Sequence, residues 1–235
     1  MTILQKTHIQ PVTPTTSSLY WVWEKELTPE LCQDIIGRAG GDFEKGRLIS
    51  PEDIETYNAW ELSVKDDFDG DKDGDADLIW RNKKNGTDDN VRETNIHFND
   101  DDDLFDIVFK YMPIANKNAG WNFQVDGAEN FQIAQFPEGG HYDWHIDGLG
   151  VGSIHEPQNK IRNNKTRKIS LVLWLNEGFE GGDFEFHKGY MKNNVIKPTQ
   201  GTIIMFPSWA MHRVTPVTKG TRYSLVTWFL GKPMQ

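Results

Sequence analysis

Residues 141–148, with the sequence HYDWHIDG, place two histidines and two aspartates within eight positions. Side chains two residues apart in a β-strand point to the same face, so His145 and Asp147 could both reach one metal ion. One imidazole and one carboxylate are two of the three protein ligands in the facial triads that hold non-haem Fe(II). A surface histidine beside a solvated acid has the same spacing, so the pair predicts a metal site only if a distant histidine completes it.

The strongest candidate for the third ligand is His212. The remaining histidines of the chain are His8, His97, His141, His155, His187 and His212. His8 falls in a loose N-terminal arm and His155 in a polar loop, while His141 stands beside a Gly-Gly turn, before the strand. His212 instead lies directly before the predicted final strand, where it could face the first pair.

Arg222, ten residues after His212, is a planar cation that can bind a carboxylate through two hydrogen bonds. If Arg222 points inward, strand alternation turns Ser224, Val226 and Trp228 to the same side. One strand would then present a cation, a hydroxyl and an indole to a single cavity. Without His212 upstream, a surface salt bridge would be the better interpretation of Arg222.

Residues 66–77 form a competing candidate metal site that contains seven aspartates. The sequence DGDKDG, from Asp69 to Gly74, fits the opening of a calcium-binding loop. The twelfth position of such a loop should be a glutamate, but here it is Trp80, and no helix pattern precedes the loop. We therefore interpret the segment as a solvated acidic loop, with weak calcium binding or docking of a basic partner as the alternatives.

Short strands predominate from about residue 121 onward. The segments FQIAQF, KISLVLWL, DFEFH, TIIMF and YSLVTWFL are rich in β-branched and aromatic residues, and Gly-Gly pairs mark turns between some of them. Evenly spaced strands of this kind predict a sandwich or jelly roll with helices packed outside it. The long polar loop over 148–166 lies beside the candidate site and is typical of a lid or a binding loop.

Two helices are predicted before these strands. Within 27–41, Thr28 suits the N-cap and Pro29 the first turn of a helix. Residues 102–112, DDLFDIVFKYM, begin with acids that favour the positive end of a helix and should end near Pro113.

Composition predicts one large domain with its own core. The chain has 235 residues, of which 37% are hydrophobic, and a formal net charge of −10 that argues against general nucleic-acid binding. No segment fits a signal peptide or a membrane span, so we expect a cytoplasmic protein with no membrane partner. The chain has a single cysteine, Cys32, so no internal disulfide can form, and Cys32 is expected to be a small buried hydrophobe.

The predicted organisation is a flexible arm over 1–18 and a single domain over 19–235, with helical support over 19–120 and the strand core over 121–232.

Three motifs, in their order along the chain, resemble the Fe(II)/2-oxoglutarate dioxygenases, and most closely their prolyl 4-hydroxylase branch. The segment IAQFPEGGHYDWHID is similar to that family's strand, Gly-Gly turn and Tyr-x-x-His-x-Asp signature. RKISLVLWLNEGFEGGDFEF resembles its next strand and Gly-Gly hairpin, and HRVTPVTKGTRYSLVTW its closing His, Gly-x-Arg and Trp pattern. The resemblance covers roughly residues 120–230 and implies an α+β fold with a double-stranded β-helix core and flanking N-terminal helices.

The resemblance implies an Fe(II) site with three protein ligands: His145, Asp147 and His212. It also implies that Arg222 binds the distal carboxylate of 2-oxoglutarate. The family often has a tyrosine nine residues before the first ligand, which helps to hold 2-oxoglutarate, but this chain has Phe136 there. Ser224 or another polar group is expected to replace the missing hydroxyl.

The implied activity is hydroxylation of prolyl residues in a peptide or protein, with O2 as oxidant, 2-oxoglutarate as co-substrate and ascorbate as a candidate reductant. Tyr142, Arg167 and Trp228 match residues that line the substrate side. The same chemistry on a free amino acid, another side chain or an alkylated base is an alternative. The net negative charge argues against a nucleic acid, and the basic segment 159–168 is the feature in its favour. A second alternative is a non-catalytic jelly-roll module whose acidic loop docks a basic partner.

Overall fold

The computed structural model describes residues 18–46, 90–148, 153–154, 156–189 and 195–233. The acidic loop over 66–77, residues 1–17 of the predicted arm, His8 and His155 lie outside the described residues. The described strands are β1 (Trp21–Trp23), β2 (Glu44–Lys45), β3 (Arg92–Glu93), β4 (Asn95–Asn99), β5 (Gly127–Ala128), β6 (Phe131–Phe136), β7 (His141–His145), β8 (Thr166–Trp174), β9 (Glu180–Gly181), β10 (Phe184–Phe186), β11 (Val195–Ile196), β12 (Ile203–Pro207), β13 (His212–Val214), β14 (Val217–Lys219) and β15 (Arg222–Gly231). The described helices are α1 (Pro29–Arg38), α2 (Asp102–Val108) and α3 (Tyr111–Asn118).

Helix α1 begins where the capping pattern predicts. The Leu31 amide donates a hydrogen bond of 3.3 Å to the Thr28 side chain, and Pro29 occupies the first turn, where no intrahelical donor is needed. Cys32 and Ile35 are fully buried on its inner face, so Cys32 is the small buried hydrophobe that the sequence predicts. The apolar face of α1 thus attaches it to the sheet.

The helix predicted over 102–112 differs from the observed structure. Helix α2 ends at Val108, and a second helix, α3, begins at Tyr111 with Pro113 inside its first turn. A proline in the first turn breaks no helical hydrogen bond, because the amides there have no partner within the helix. Pro113 therefore lies near the start of a helix rather than at the end of one.

Antiparallel strands form two main sheets in the part of the chain described. The larger has the order β1-β12-β8-β15-β6-β4-β2, with β5 beside β15, and the smaller has the order β11-β10-β13-β7-β3. A short pair, β14 and β9, stands apart. Residues 19–120, predicted as helical support, also contribute β1 to β4 to these sheets. The mostly sheet architecture is consistent with the predicted jelly roll.

Alternation along β8 divides the apolar residues between two cores. Leu171 and Leu173 pack on the helix side of the larger sheet, with α1, α2 and α3. Val172 and Trp174 belong instead to a cluster between the two sheets, which we call the inner core. Its buried members are Ile96, Ala134, Phe136, Val172, Trp174, Phe184, Phe186, Ile204, Phe206, Ala210, Val214 and Val217. None of the described helices is long and apolar enough to cross a membrane.

Candidate metal centre

Pairing between β7 and β13 brings two distant histidines together. His145 and His212 are register partners, with ring centroids 4.2 Å apart. Asp147 lies two residues beyond the end of β7, where its amide donates to the Ser208 carbonyl at 2.9 Å. The sequence predicts Asp147 within the strand. In the structure Asp147 lies outside the strand, and the hydrogen bond of its amide to the Ser208 carbonyl fixes its backbone. Within the described residues, ligand atoms of His145, Asp147 and His212 all lie within 4.8 Å of one another.

The hydrogen bonds of the two histidines orient their lone pairs towards the aspartate. His145 Nδ1 lies 2.8 Å from the Asp143 carbonyl, and His212 Nδ1 lies 2.8 Å from the Ala210 carbonyl. Because a carbonyl only accepts hydrogen bonds, each neutral imidazole carries its hydrogen on Nδ1 and presents an unprotonated Nε2. The His145 and His212 Nε2 atoms are 3.5 Å and 3.7 Å from the Asp147 carboxylate oxygens.

The protonation states of this cluster fit a divalent metal ion. Burial lowers the pKa of His212 to about 4, so this ring is neutral at pH 7. Burial alone would raise the pKa of Asp147, but His212, His145 and Arg167 together hold it well below its ordinary value. The Nε2 atoms of His145 and His212 and the Asp147 carboxylate converge within 4.8 Å, an arrangement that suits a cation. Two histidines and one carboxylate form the ligand set of non-haem Fe(II) sites.

Two buried serines orient the carboxylate of Asp147. Ser170 Oγ donates to Asp147 Oδ2 at 2.6 Å, and Ser208 Oγ lies 3.0 Å from Ser170 Oγ. With Oδ2 engaged by Ser170, Oδ1 is the oxygen left free to face a metal ion. Neither serine was singled out from the sequence, because each lies in an apolar strand segment or turn that offers no chemical pattern.

Replacing Ser170 by alanine should weaken divalent-metal binding about 10- to 100-fold, the usual effect of losing a hydrogen bond to a metal ligand. The physical reason is that Asp147 would be free to rotate both oxygens towards the histidines. Calorimetric titration of Mn(II) into the metal-free protein measures the change. Ser208→Ala is the graded comparison, since Ser208 acts on the carboxylate only through Ser170, and its effect should be smaller. Wild-type affinity in Ser170→Ala would show that the serine does not orient the ligand.

Arg222 is a buried cation at the first position of β15. It is only 1% exposed and forms no ion pair within 4 Å among the described residues, although the charge of Asp183 acts on it and raises its pKa. Its Nη1 donates a long 3.4 Å bond to Ser224 Oγ, its Nε has no hydrogen-bond partner, and its guanidinium lies 4.7 Å above the Phe136 ring. Burial lowers the pKa of Arg222 to about 9, so the group remains charged at neutral pH. A buried charge without a counter-ion is costly, which points to an anionic ligand.

Arg167 and Trp228 form a second cationic feature next to Asp147. The Arg167 guanidinium lies 3.7 Å above the Trp228 ring, and its Nη1 donates to the Asp147 carbonyl at 3.3 Å. Glu129 accepts two hydrogen bonds from Arg167, at 2.6 Å and 2.7 Å, and so fixes the plane of the guanidinium. Glu129 was not predicted, because nothing in its local sequence marks a site.

Tyr142 packs directly on a candidate metal ligand. Its ring is stacked on His145, with centroids 3.5 Å apart and planes 10° apart. Arg92, another residue that the sequence did not reveal, lies 4.7 Å above the Tyr142 ring. Burial raises the pKa of the Tyr142 phenol, which therefore stays protonated and able to donate a hydrogen bond. Tyr142 thus contacts His145, and Arg167, which stacks on Trp228, contacts the Asp147 carbonyl.

The other described histidines have separate contacts. His97 Nδ1 lies 2.8 Å from the Asp42 carbonyl, and His187 packs edge-on against Trp144 at 5.6 Å. His141 begins β7 rather than preceding the strand, and its ring contacts the Gly139 carbonyl. None of these three joins the cluster in the part of the chain that the structure describes.

Comparisons with known proteins converge on the segment that contains the cluster. Residues 131–230 match the model of the 2OG-Fe(II) oxygenase superfamily. A PKHD-type hydroxylase from Pseudomonas aeruginosa is 32% identical over 117 residues, which are 46% of this chain and 49% of that protein. The chain spans about half the length or less of the curated relatives that it matches.

Solved structures share the fold over most of the chain. A Pseudomonas putida prolyl-4-hydroxylase has a TM-score of 0.56 at 17% identity, covering 90% of this chain and 92% of that one. A prolyl hydroxylase in complex with a hypoxia inducible factor peptide fragment, from Trichoplax adhaerens, has a TM-score of 0.55 at 17% identity, covering 92% and 84%. At these identities the likeness concerns the fold alone.

Proposed function

We propose that the protein, whose residues 131–230 match the model of the 2OG-Fe(II) oxygenase superfamily, is an Fe(II)- and 2-oxoglutarate-dependent dioxygenase that hydroxylates prolyl residues of a peptide or protein. The observation that carries the proposal is that one domain contains both a His-Asp-His ligand set and a buried arginine without an ion pair among the described residues. Ligand atoms of His145, Asp147 and His212 lie within 4.8 Å of one another, and the buried Arg222 guanidinium has an Nε without a hydrogen-bond partner among the described residues. Fe(II) and a dicarboxylate complete both. We infer likewise that the two facing sheets are a double-stranded β-helix, within a single domain over 19–235.

His145, Asp147 and His212 would hold Fe(II) on one face, with Ser170 and two backbone carbonyls keeping their donor atoms aimed at it. Arg222 would neutralise the distal carboxylate of 2-oxoglutarate, so that the 2-oxo acid end is directed towards the metal. Bound Fe(II) supplies the activation of dioxygen for oxidative decarboxylation and C–H hydroxylation. One oxygen atom of O2 enters succinate and the other enters the new hydroxyl group, with CO2 as the third product.

The protein's own groups mainly bind, orient and exclude water. Arg222 and His212 are almost fully buried, so bulk solvent has little access to either group. No side chain would have to remove a proton from the substrate, because Fe(II) held by His145, Asp147 and His212 would supply the chemistry of C–H cleavage. This agrees with the low pKa of His212, which makes it a ligand rather than an acid or a base at neutral pH.

The substrate side would be formed by Tyr142, Arg167 and Trp228. Tyr142 offers a protonated phenol, Trp228 an indole face, and Arg167 a guanidinium held rigidly by Glu129. A flat apolar proline ring suits the aromatic surfaces, and a peptide carbonyl suits the guanidinium. The structural neighbour from Trichoplax adhaerens is described with a bound peptide fragment, which supports a polypeptide substrate.

Arg167→Ala should raise the KM for a proline-containing peptide about tenfold or more, because it removes a charge-assisted hydrogen-bond donor worth roughly 1.5–3 kcal/mol. The affinity for 2-oxoglutarate should stay within about twofold of the wild-type value. Peptide-dependent succinate formation measures the KM, and direct titration of 2-oxoglutarate provides the control. An unchanged peptide KM would remove Arg167 from the substrate side.

The test of the proposed substrate class compares proline-containing peptides with free amino acids. Each is incubated with enzyme, Fe(II), 2-oxoglutarate and ascorbate, and mass spectrometry locates any added oxygen atom. Oxygen on a prolyl residue, dependent on 2-oxoglutarate, is the expected result. Oxygen on free amino acids alone would replace the polypeptide substrate with a small one and keep the cofactors. Absence of 2-oxoglutarate binding would contradict the enzymatic function itself.

A further inference from the structure

Trp174, in the last position of β8, carries a buried donor without an acceptor. The residue is fully buried, and its indole Nε1 has no hydrogen-bond partner among the described residues. Its ring packs edge-on against Phe184, with centroids 6.0 Å apart. Buried polar groups in folded proteins are nearly always paired, so an unpaired indole N–H in the inner core requires a physical explanation.

The position of Trp174 on the sheet places this donor beside Arg222. Trp174 is the register partner of Ser224 on β15, and directly opposed residues of an antiparallel pair project their side chains from the same face. Ser224 in turn accepts the 3.4 Å hydrogen bond from Arg222 Nη1. On the other side, Phe184 stacks against His212 with centroids 5.2 Å apart. Trp174 is therefore linked to Arg222 through Ser224 and to His212 through Phe184.

Phe136 lies beside Arg222 but cannot donate a hydrogen bond to an anion bound there. It is the register partner of Arg222 on β6, and its ring lies 4.7 Å from the guanidinium. A phenylalanine offers only its π face to the cation and no hydrogen bond to an anion. Ser224 provides one hydroxyl, whose oxygen accepts from Arg222 Nη1 and whose hydrogen can be donated to an anion. The indole N–H of Trp174, which is the register partner of Ser224, is an unpaired buried donor on this face.

We propose that Trp174 is a specificity-determining residue whose Nε1–H donates a hydrogen bond to the distal carboxylate of 2-oxoglutarate, alongside Arg222 and Ser224. The inference rests on the proposed function and deepens it. A guanidinium alone attracts any anion, whereas a second donor fixed by the sheet selects a carboxylate at one distance from the metal. The class of ligand so selected is a 2-oxo acid with a second carboxylate at its far end.

Nuclear magnetic resonance of the indole N–H groups tests the contact directly. The protein is labelled with 15N and loaded with diamagnetic Zn(II), and 2-oxoglutarate is added. The peak missing from Trp174→Phe should move downfield on ligand addition, because a hydrogen bond to a carboxylate deshields the proton. Trp228→Phe assigns the other buried unpaired indole. If no indole peak moves downfield while 2-oxoglutarate binds, the inference is overturned, whether or not Trp174→Phe folds.

Calorimetry then separates the hydrogen bond from the packing of the ring. Trp174→Phe should bind 2-oxoglutarate about tenfold more weakly than the wild type in the presence of Mn(II), as expected for loss of a hydrogen bond to a charged group. Trp23→Phe, in the core on the helix side, is the matched control and should bind as the wild type does. Equal affinities of Trp174→Phe and wild type would overturn the inference alone. Failure of the wild-type protein to bind 2-oxoglutarate would overturn the proposed function as well.

Discussion

Arg222→Ala should weaken 2-oxoglutarate binding by roughly 30-fold to several thousand-fold, the range expected when one partner of a buried charge pair is removed. The guanidinium is 1% exposed and has no ion-pair partner in the described structure, so the distal carboxylate would be its counter-ion. Affinity for Mn(II) should change little, because Arg222 is not among the metal ligands. Titration of 2-oxoglutarate into the Mn(II)-loaded variant measures the loss.

Arg222→Met is the matched variant, since it keeps most of the volume and removes only the charge. Its ligand-free form should be at least as stable as the wild type, because burying an uncompensated cation costs stability. Arg213→Ala is a control outside the site, where Arg213 pairs with Glu185 at 2.8 Å. If Arg222→Met bound 2-oxoglutarate normally, or Arg213→Ala lost the same affinity, the assignment of the anion site would be wrong.

His145→Ala should reduce divalent-metal affinity by at least about 100-fold and abolish measurable turnover, since losing even an indirect partner of a metal ligand costs 10- to 100-fold. The ring is one of three donors that converge within 4.8 Å. Mn(II) titration gives the affinity, and 2-oxoglutarate-dependent succinate formation gives the turnover. Retained metal binding would move the site elsewhere.

His141→Ala is the control for that experiment, because it lies on the same strand and is not part of the cluster. Its ring contacts the Gly139 and Asn90 carbonyls at the start of β7. Metal affinity and turnover should both stay near the wild-type values. Loss of both in His141→Ala would mean that damage to β7, rather than removal of a ligand, explains the effect in His145→Ala.

The composition of the inner core shows how the fold accommodates such a site. Arg222, Ser224 and His212 are buried among aromatic side chains in positions where apolar residues would contribute more to stability. In the helix-side core the Tyr111 hydroxyl donates to Glu26 and the Trp121 indole donates to the Ser18 carbonyl, so both of these polar groups are paired. Stability of the protein is thus expected to rise when metal and dicarboxylate bind, because both ligands pair groups that the fold leaves unpaired.

Part of the candidate site could be predicted from the sequence, because its residues are close along the chain or alternate along one strand. His145 and Asp147 are two residues apart, and Arg222, Ser224 and Trp228 share a strand face. The pairing of His145 with His212 could not be predicted from residue types alone, since it depends on the register of β7 with β13. For the same reason the partners Glu129, Arg92 and Ser170 were missed, because their contacts form only when separate strands align.

Local signals were also ambiguous where helix and strand meet. Pro113 was interpreted as a helix stop, although the same residue is equally suited to the first turn of α3. Residues 92–99 were assigned to a helical region, yet they form β3 and β4, because pairing with β7 and β6 outweighs weak local preference. These errors do not affect the predicted site residues, because those residues lie on or next to the later strands β7, β13 and β15.

The most direct test of the central claim is a titration of 2-oxoglutarate into oxygen-free protein with and without Fe(II). The claim is that the cluster of His145, Asp147 and His212 and the buried Arg222 form one site. We expect one equivalent of 2-oxoglutarate to bind tightly with Fe(II) present and much more weakly without it. Binding that is indifferent to the metal, or no binding at all, would contradict the account.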